Sequence, residues 1–217
     1  TVNLNFTPIY LTSVDYYDDY WFINSLSTLE KVKMQYNAMV VGYDKQYTGG
    51  ARGLLTGKRI YSLDASDKYT ITSYYYDDYG RMVQVHASNH LGGFEDEYTA
   101  YNFSGTIRQK LHIHTVPNKP VQKEVYSYTY DHVNRLLTTS HKLNDLPEKI
   151  LLSNSYDEIG RLQKQSKATE TSVYTYNVRD WLTEISGNLF SETLAYNTAV
   201  GGISPQVASY SGNISAM

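Results

Sequence analysis

Cysteine is absent from all 217 residues, which excludes disulfides, thiolate metal sites and cysteine nucleophiles together. No apolar run approaches the roughly 20 residues that a membrane helix requires. The opening TVNLNFTPIY has neither the basic start nor the apolar centre of a signal peptide, so an exported protein would carry this chain as a mature or excised segment. Positive charge is not in excess: 19 Lys and Arg face 22 Asp and Glu, a formal charge of -3 without a basic stripe. No footprint for nucleic acid or an anionic membrane follows. The chain also lacks a G-x-S-x-G elbow, and its glycine-rich stretch Tyr47 to Gly53 has neither the Lys-Ser/Thr ending of a P-loop nor dinucleotide spacing, so it reads as a loop.

What is abundant is tyrosine: 23 residues, against 5 Phe and 2 Trp. Its ring packs across pleated strands while its hydroxyl reaches water or a hydrogen-bond partner, so this composition favours β-structure. With 41% hydrophobic residues the chain has enough apolar surface to bury a core.

The tyrosines mark an internal repeat. Seven-residue stretches align from Tyr76 (YDDYGRM), Tyr101 (YNFSGTI), Tyr130 (YDHVNRL), Tyr156 (YDEIGRL) and Tyr176 (YNVRDWL). Position two is Asp77, Asn102, Asp131, Asp157 or Asn177, each able to open an Asx-turn. Position five is Gly80, Gly105, Asn134, Gly160 or Asp180, the residue types that best tolerate a left-handed backbone. Together they describe a type I turn closed by a residue at positive φ, as in a G1-bulge hairpin. Position seven is apolar: Met82, Ile107, Leu136, Leu162 and Leu182. Ahead of the turns, Tyr74 and Tyr76, Tyr128 and Tyr130, and Tyr174 and Tyr176 stand two apart and share a strand face. Degenerate copies follow at Tyr196 (YNTAVGGI) and Tyr210 (YSGNI), which suggests an array truncated at its C-terminal end.

The copies YDDYGRM, YDHVNRL and YDEIGRL resemble the Y-D-x-x-G-R-L repeat of Rhs proteins, teneurins and toxin-complex C components. The blocks LTSVDYYDDYWF and GLLTGKRIY look like the segment preceding such repeats in Rhs-type proteins of Bacteroidetes-like bacteria. The resemblance implies long β-hairpins wound side by side into a hollow shell, which in Rhs and toxin-complex proteins encloses a C-terminal toxin domain. The family's self-cleaving D-P-x-G-L motif is missing here, so the resemblance transfers no catalytic residue.

Other candidate sites have plain structural alternatives. Asp18/Asp19 and Asp77/Asp78 are carboxylate pairs, but neighbouring strand or turn residues diverge where acid/base pairs must converge. His112 and His114 would share a strand face without a third metal ligand at a recognisable spacing, though His86, His90, His132 and His141 could approach in space. Arg81, Arg135 and Arg161 recur at position six, placed to pair with the Asp of the same copy or to stack on a tyrosine. Ser27 to Ala38 carries a capping box, Ser27 with Glu30, yet its β-branched and aromatic content suits a strand almost as well.

The expected protein is all-β: consecutive antiparallel hairpins in a curved, twisted sheet, part of a shell or barrel-like wall, with a propeller or sandwich as the alternative. Residues 1–63 form a less regular leading segment and residues 64–217 the repeat array. The expected role is a non-catalytic wall segment of a secreted or cell-surface protein. It needs no cofactor or metal, and its partners are further repeats or a downstream toxin domain, or other copies through sheet edges. The alternative is a carbohydrate-binding or adhesion module stacking glycans on Tyr74, Tyr76, Tyr128, Tyr130, Tyr174 and Tyr176. The earlier YYDDY, Tyr16 to Tyr20, has Trp21 where the turn glycine belongs, and is expected to continue or exit as a strand.

Overall fold

The computed structural model describes residues 12–62 and 68–217. The reading of the first ten residues, and the boundary at Leu63, lie outside them. The chain is all-β: thirteen strands form one sheet whose strand order is the chain order, and neighbouring strands run antiparallel. In chain order these are β1 (Ser13–Asp18), β2 (Ala51–Tyr61), β3 (Tyr69–Tyr76), β4 (Met82–Ser88), β5 (Phe94–Tyr101), β6 (Ile107–Thr115) and β7 (Gln122–Tyr130). They continue as β8 (Leu136–Leu143), β9 (Lys149–Tyr156), β10 (Leu162–Lys167), β11 (Thr171–Tyr176), β12 (Leu182–Gly187) and β13 (Ser191–Thr193). A 3-10 helix, Trp21–Ser25, and one α-helix, α1 (Thr28–Met34), lie between β1 and β2. By its contacts the chain divides into a first unit, Thr1–Ser127 with Lys142–Pro147, and a second, Tyr128–His141 with Glu148–Met217.

In the first unit one face of the sheet is covered. Along β3 the side chains alternate as the pleat requires: Ile71, Ser73 and Tyr75 are buried, while Thr70, Thr72, Tyr74 and Tyr76 are half-buried. Over Ile71 and Phe94 pack Phe22, Ile23, Leu26 and Met34 from the helical segment. Burying one such side chain fully stabilises the fold by about 1.5–3 kcal/mol. The capping box forms: the Glu30 amide donates to Ser27 Oγ and the Ser27 amide to Glu30 Oε2, starting α1 at Thr28. The helix stops at Met34, four residues short of the expected Ala38. There Ser73 Oγ and Tyr75 Oη both donate to the Met34 carbonyl, at 2.8 and 2.5 Å, so the sheet satisfies the acceptor that a further turn would have used.

The YYDDY stretch does leave its strand without repeating the later turn. Asp18 ends β1 with φ 72, and its Oδ1 accepts the Gly53 amide at 2.6 Å. Asp19 Oδ1 accepts the Trp21 amide at 3.0 Å, opening the 3-10 helix. The glycine-rich loop is shorter than its composition suggests, because Ala51, Arg52 and Gly53 already belong to β2.

The second unit is built differently. Its strands are half-exposed, and its buried side chains are Thr183, Leu194, Ala195 and Tyr196. On β9, β10 and β11, Ser153, Ser166 and Thr171 lie in register on one face, and Asn154, Gln165 and Ser172 on the other. Such a sheet gains little from a core and depends on what joins one hairpin to the next.

Candidate functional site

The five repeat turns share one backbone form. The amide of position two donates to the carbonyl of position six at 2.8–3.0 Å in Asp77, Asn102, Asp131, Asp157 and Asn177. The amide of position five returns to the carbonyl of position two at 2.9–3.1 Å. Position five is left-handed every time: φ is 73 at Gly80, 86 at Gly105, 64 at Asn134, 97 at Gly160 and 63 at Asp180. Where position two is Asp, its Oδ1 accepts the amides of positions four and six, as Asp157 does from Ile159 at 3.1 Å and Arg161 at 2.8 Å. Asn177 does the same for Arg179 and Trp181, whereas Asn102 donates its side-chain amide to Thr106.

A sixth turn of this kind is not marked by tyrosine. Asn89 accepts the amides of Leu91 and Gly93 on its Oδ1, and Gly92 closes the turn with φ 76. The signal was in the sequence, Asn89 and Gly92 at the same three-residue spacing, but a search keyed on tyrosine passes over it.

Position six completes the copy and binds the next one. Arg81, Arg135 and Arg161 each donate Nε to the Asp Oδ2 of their own turn at 2.6–2.7 Å. Each guanidinium then covers the position-one ring of the following copy: Arg81 over Tyr101 at 4.4 Å, Arg135 over Tyr156 at 4.4 Å, Arg161 over Tyr176 at 4.8 Å. The hydroxyl of that same tyrosine reaches back to the position-seven carbonyl of the preceding copy. Tyr101 donates to Met82, Tyr156 to Leu136, Tyr176 to Leu162 and Tyr196 to Leu182, at 2.8–3.0 Å. Tyr196 therefore takes the position-one role of the degenerate copy, with Trp181 packed on it at 5.0 Å in place of an arginine. Beyond it, Val200 and Ile203 pair across Gly201-Gly202 in a tight turn.

Residues at positions two and six are matched. Asp occurs with Arg, and Asn with Thr106 or Trp181, so the charged acceptor stands only where a cation meets it. Loss of hydration works to raise the Asp131 and Asp157 carboxyls, but backbone and guanidinium hydrogen bonds outweigh it and hold both below the usual carboxylate range. A carboxyl held low in the folded state stabilises it above the unfolded value, and that stability is lost as pH falls through the folded value. Asp157→Asn is therefore expected to stay folded at neutral pH, since Asn102 and Asn177 already serve in this turn, and to show a flatter fall in melting temperature on acidification than the parent. A parallel acid profile would remove Asp157 from the lock.

The tyrosines singled out by spacing are all half-buried. Tyr176 has one face under Arg161, and burial pushes its hydroxyl up. Tyr76 donates to the Leu55 carbonyl at 2.7 Å, while the carbonyl of Tyr74 accepts Tyr20 Oη at 2.8 Å. Tyr128 and Tyr130 are also shifted upward by burial, and Tyr174 is half-buried. The spacing rule missed Tyr75, which is 3% exposed and stacks on Tyr20 at 4.6 Å.

His112 and His114 share a face and converge on one carboxylate. Glu95 on the neighbouring strand meets His112 Nε2 at 2.9 Å and His114 Nδ1 at 2.6 Å, and accepts from Asn89 Nδ2 at 2.9 Å. Among the described residues no group of three His, Asp or Glu is arranged to hold a metal ion. Asp77 is taken up by its turn and by Arg81, while Asp78 is exposed.

No family model matches the chain, and no curated protein does. Among solved structures it is similar to part of the TcdB2-TccC3-Cdc42 crystal structure, with 14% identity and a TM-score of 0.34 over 61% of this chain and 8% of that one. It is also similar to TcdB2-TccC3, with 10% identity and a TM-score of 0.33 over 65% and 11%. The Tc holotoxin pore of Photorhabdus luminescens gives 11% identity and a TM-score of 0.26 over 67% and 11%. The chain thus spans about a tenth of the length of the proteins it resembles.

Proposed function

We propose that this chain is a length of YD-repeat wall: a non-catalytic structural segment of an Rhs-type protein that is secreted or displayed at the cell surface. The observation that carries this reading is the copy-to-copy lock. In it a guanidinium fixed by its own turn covers the next copy's tyrosine, whose hydroxyl closes back on the preceding copy. Tyr176, one of the tyrosines that could serve a binding surface, is spent on joining hairpins. The second unit, with few buried side chains of its own, is held in the way a wall made of repeats would be. Its partners in this reading are further repeats of the same polypeptide and a toxin domain that they enclose.

The test uses the whole polypeptide encoded by the gene, imaged by electron microscopy and challenged with protease. A hollow particle that shields a downstream segment from digestion is the expected result. An extended or solid particle, with every segment cut at the rate of an unfolded chain, would overturn it.

A further inference from the structure

Beneath the helical segment of the first unit lies a polar network that the wall does not need. His86 on β4 is 2% exposed, and its two ring nitrogens face two oxygens: Nδ1 meets Asp96 Oδ1 at 2.7 Å and Nε2 meets Gln84 Oε1 at 3.2 Å. The Gln84 amide cannot be turned round. Its Nε2 donates to the Asn37 carbonyl at 2.8 Å and its Oε1 accepts the Asn37 amide at 3.0 Å, and a backbone carbonyl and amide admit only that orientation. With Asp96 ionised, both neighbours of the imidazole are acceptors, whereas a neutral imidazole has a single donor.

We propose that His86 carries a proton on both nitrogens in the folded protein, paired with the Asp96 carboxylate, and that this proton makes the hold of the sheet on the segment around Asn37 dependent on pH. The other groups around the ring do not supply the missing donor. Tyr75 and Tyr98 meet it edge-on at 5.9 and 5.7 Å. The Tyr75 hydroxyl is committed to Met34, and the Tyr98 hydroxyl accepts from Asn37. Ser73, opposite His86 on β3, also donates to Met34. Tyr20 and Tyr36 pack their rings against Tyr75. Burial keeps the Tyr20, Tyr75 and Tyr98 hydroxyls neutral well above the usual tyrosine range, so Asp96 is the charge facing the ring.

An unfolded histidine releases its proton near pH 6.5, so a second ring proton retained on folding stabilises the attached state fully below that value. The contribution is lost as pH rises through the point where the folded ring gives the proton up. A bare nitrogen then faces an acceptor, Gln84 is pushed from the ring, and the Asn37 amide loses its acceptor.

Two measurements on the full chain test this. Nitrogen-15 shifts of the His86 ring should report both nitrogens protonated at about pH 7.5. Hydrogen-exchange protection of the Asn37 amide, corrected for intrinsic rate, should fall about tenfold across the alkaline titration. In Asp96→Asn the side-chain amide can donate to Nδ1, so a neutral ring satisfies every partner. That variant should keep its protection and lose the pH dependence. A neutral His86 ring in the parent near pH 7.5, protection of Asn37 that does not vary with pH, or an unchanged profile in Asp96→Asn would each overturn the proposal.

Discussion

Gly93→Ala is expected to destabilise the first unit by about 3 kcal/mol or more, one of the largest single losses the chain can suffer from adding one methyl group. Gly93 fills position six of the Asn89 turn, with its amide on Asn89 Oδ1 at 2.8 Å and its carbonyl receiving the Asn89 amide at 2.9 Å. A Cβ there would overlap the Thr115 carbonyl oxygen and approach its carbon to 2.7 Å and Val116 Cα to 2.9 Å. All of these are backbone atoms of the adjoining β6 strand end, which cannot move aside as a flexible side chain would. Gly92→Ala, one residue earlier, is the control. It sits at φ 76 with only Pro117 near, at 4.0 Å, and should cost about 1 kcal/mol from its left-handed backbone alone. Urea unfolding of the two variants separates the cases, and equal midpoints would refute the close approach.

Tyr196→Ala should destabilise the second unit by about 3–5 kcal/mol, because it removes a ring that is 6% exposed and leaves the packing of Trp181 open. Tyr196→Phe keeps the ring and removes only the hydroxyl that donates to Leu182, a loss of about 1 kcal/mol. Trp181 is the reporter, since the other tryptophan, Trp21, belongs to the first unit. Fluorescence unfolding followed at Trp181 should move far for the alanine variant and little for phenylalanine. Similar shifts for both would assign the stability to the hydrogen bond and not to the packed ring.

The turns were legible because a turn is local. Asp77 and Gly80, three residues apart, state both the acceptor and the left-handed residue, and nothing distant is needed to satisfy them. The capping box at Ser27 was legible for the same reason. The lock was legible only in part: Arg161 could be matched with Asp157 or with some tyrosine, but that it does both at once depends on which strand comes to lie alongside. Tyr75 shows the limit most clearly. Spacing by two marks Tyr74 and Tyr76 as sharing a face, yet it does not say which face is covered, and the helical segment came down on the other one. The polar contacts of His86 were out of reach too, because Asn37 and Gln84 are far apart in the chain and neither belongs to a recognisable motif.

The ladder of arginine and tyrosine has a direction. Where position six is arginine, the copy extends its guanidinium towards the copy after it and receives that copy's tyrosine hydroxyl in return, so the two sides of the junction are different surfaces. A junction of this kind is head-to-tail and has no two-fold version, since two leading sides would bring arginine to arginine and two trailing sides tyrosine to tyrosine. Through this junction such arrays lengthen only with their polarity preserved, and an unmatched end cannot form the arginine–tyrosine contact with a reversed copy of itself.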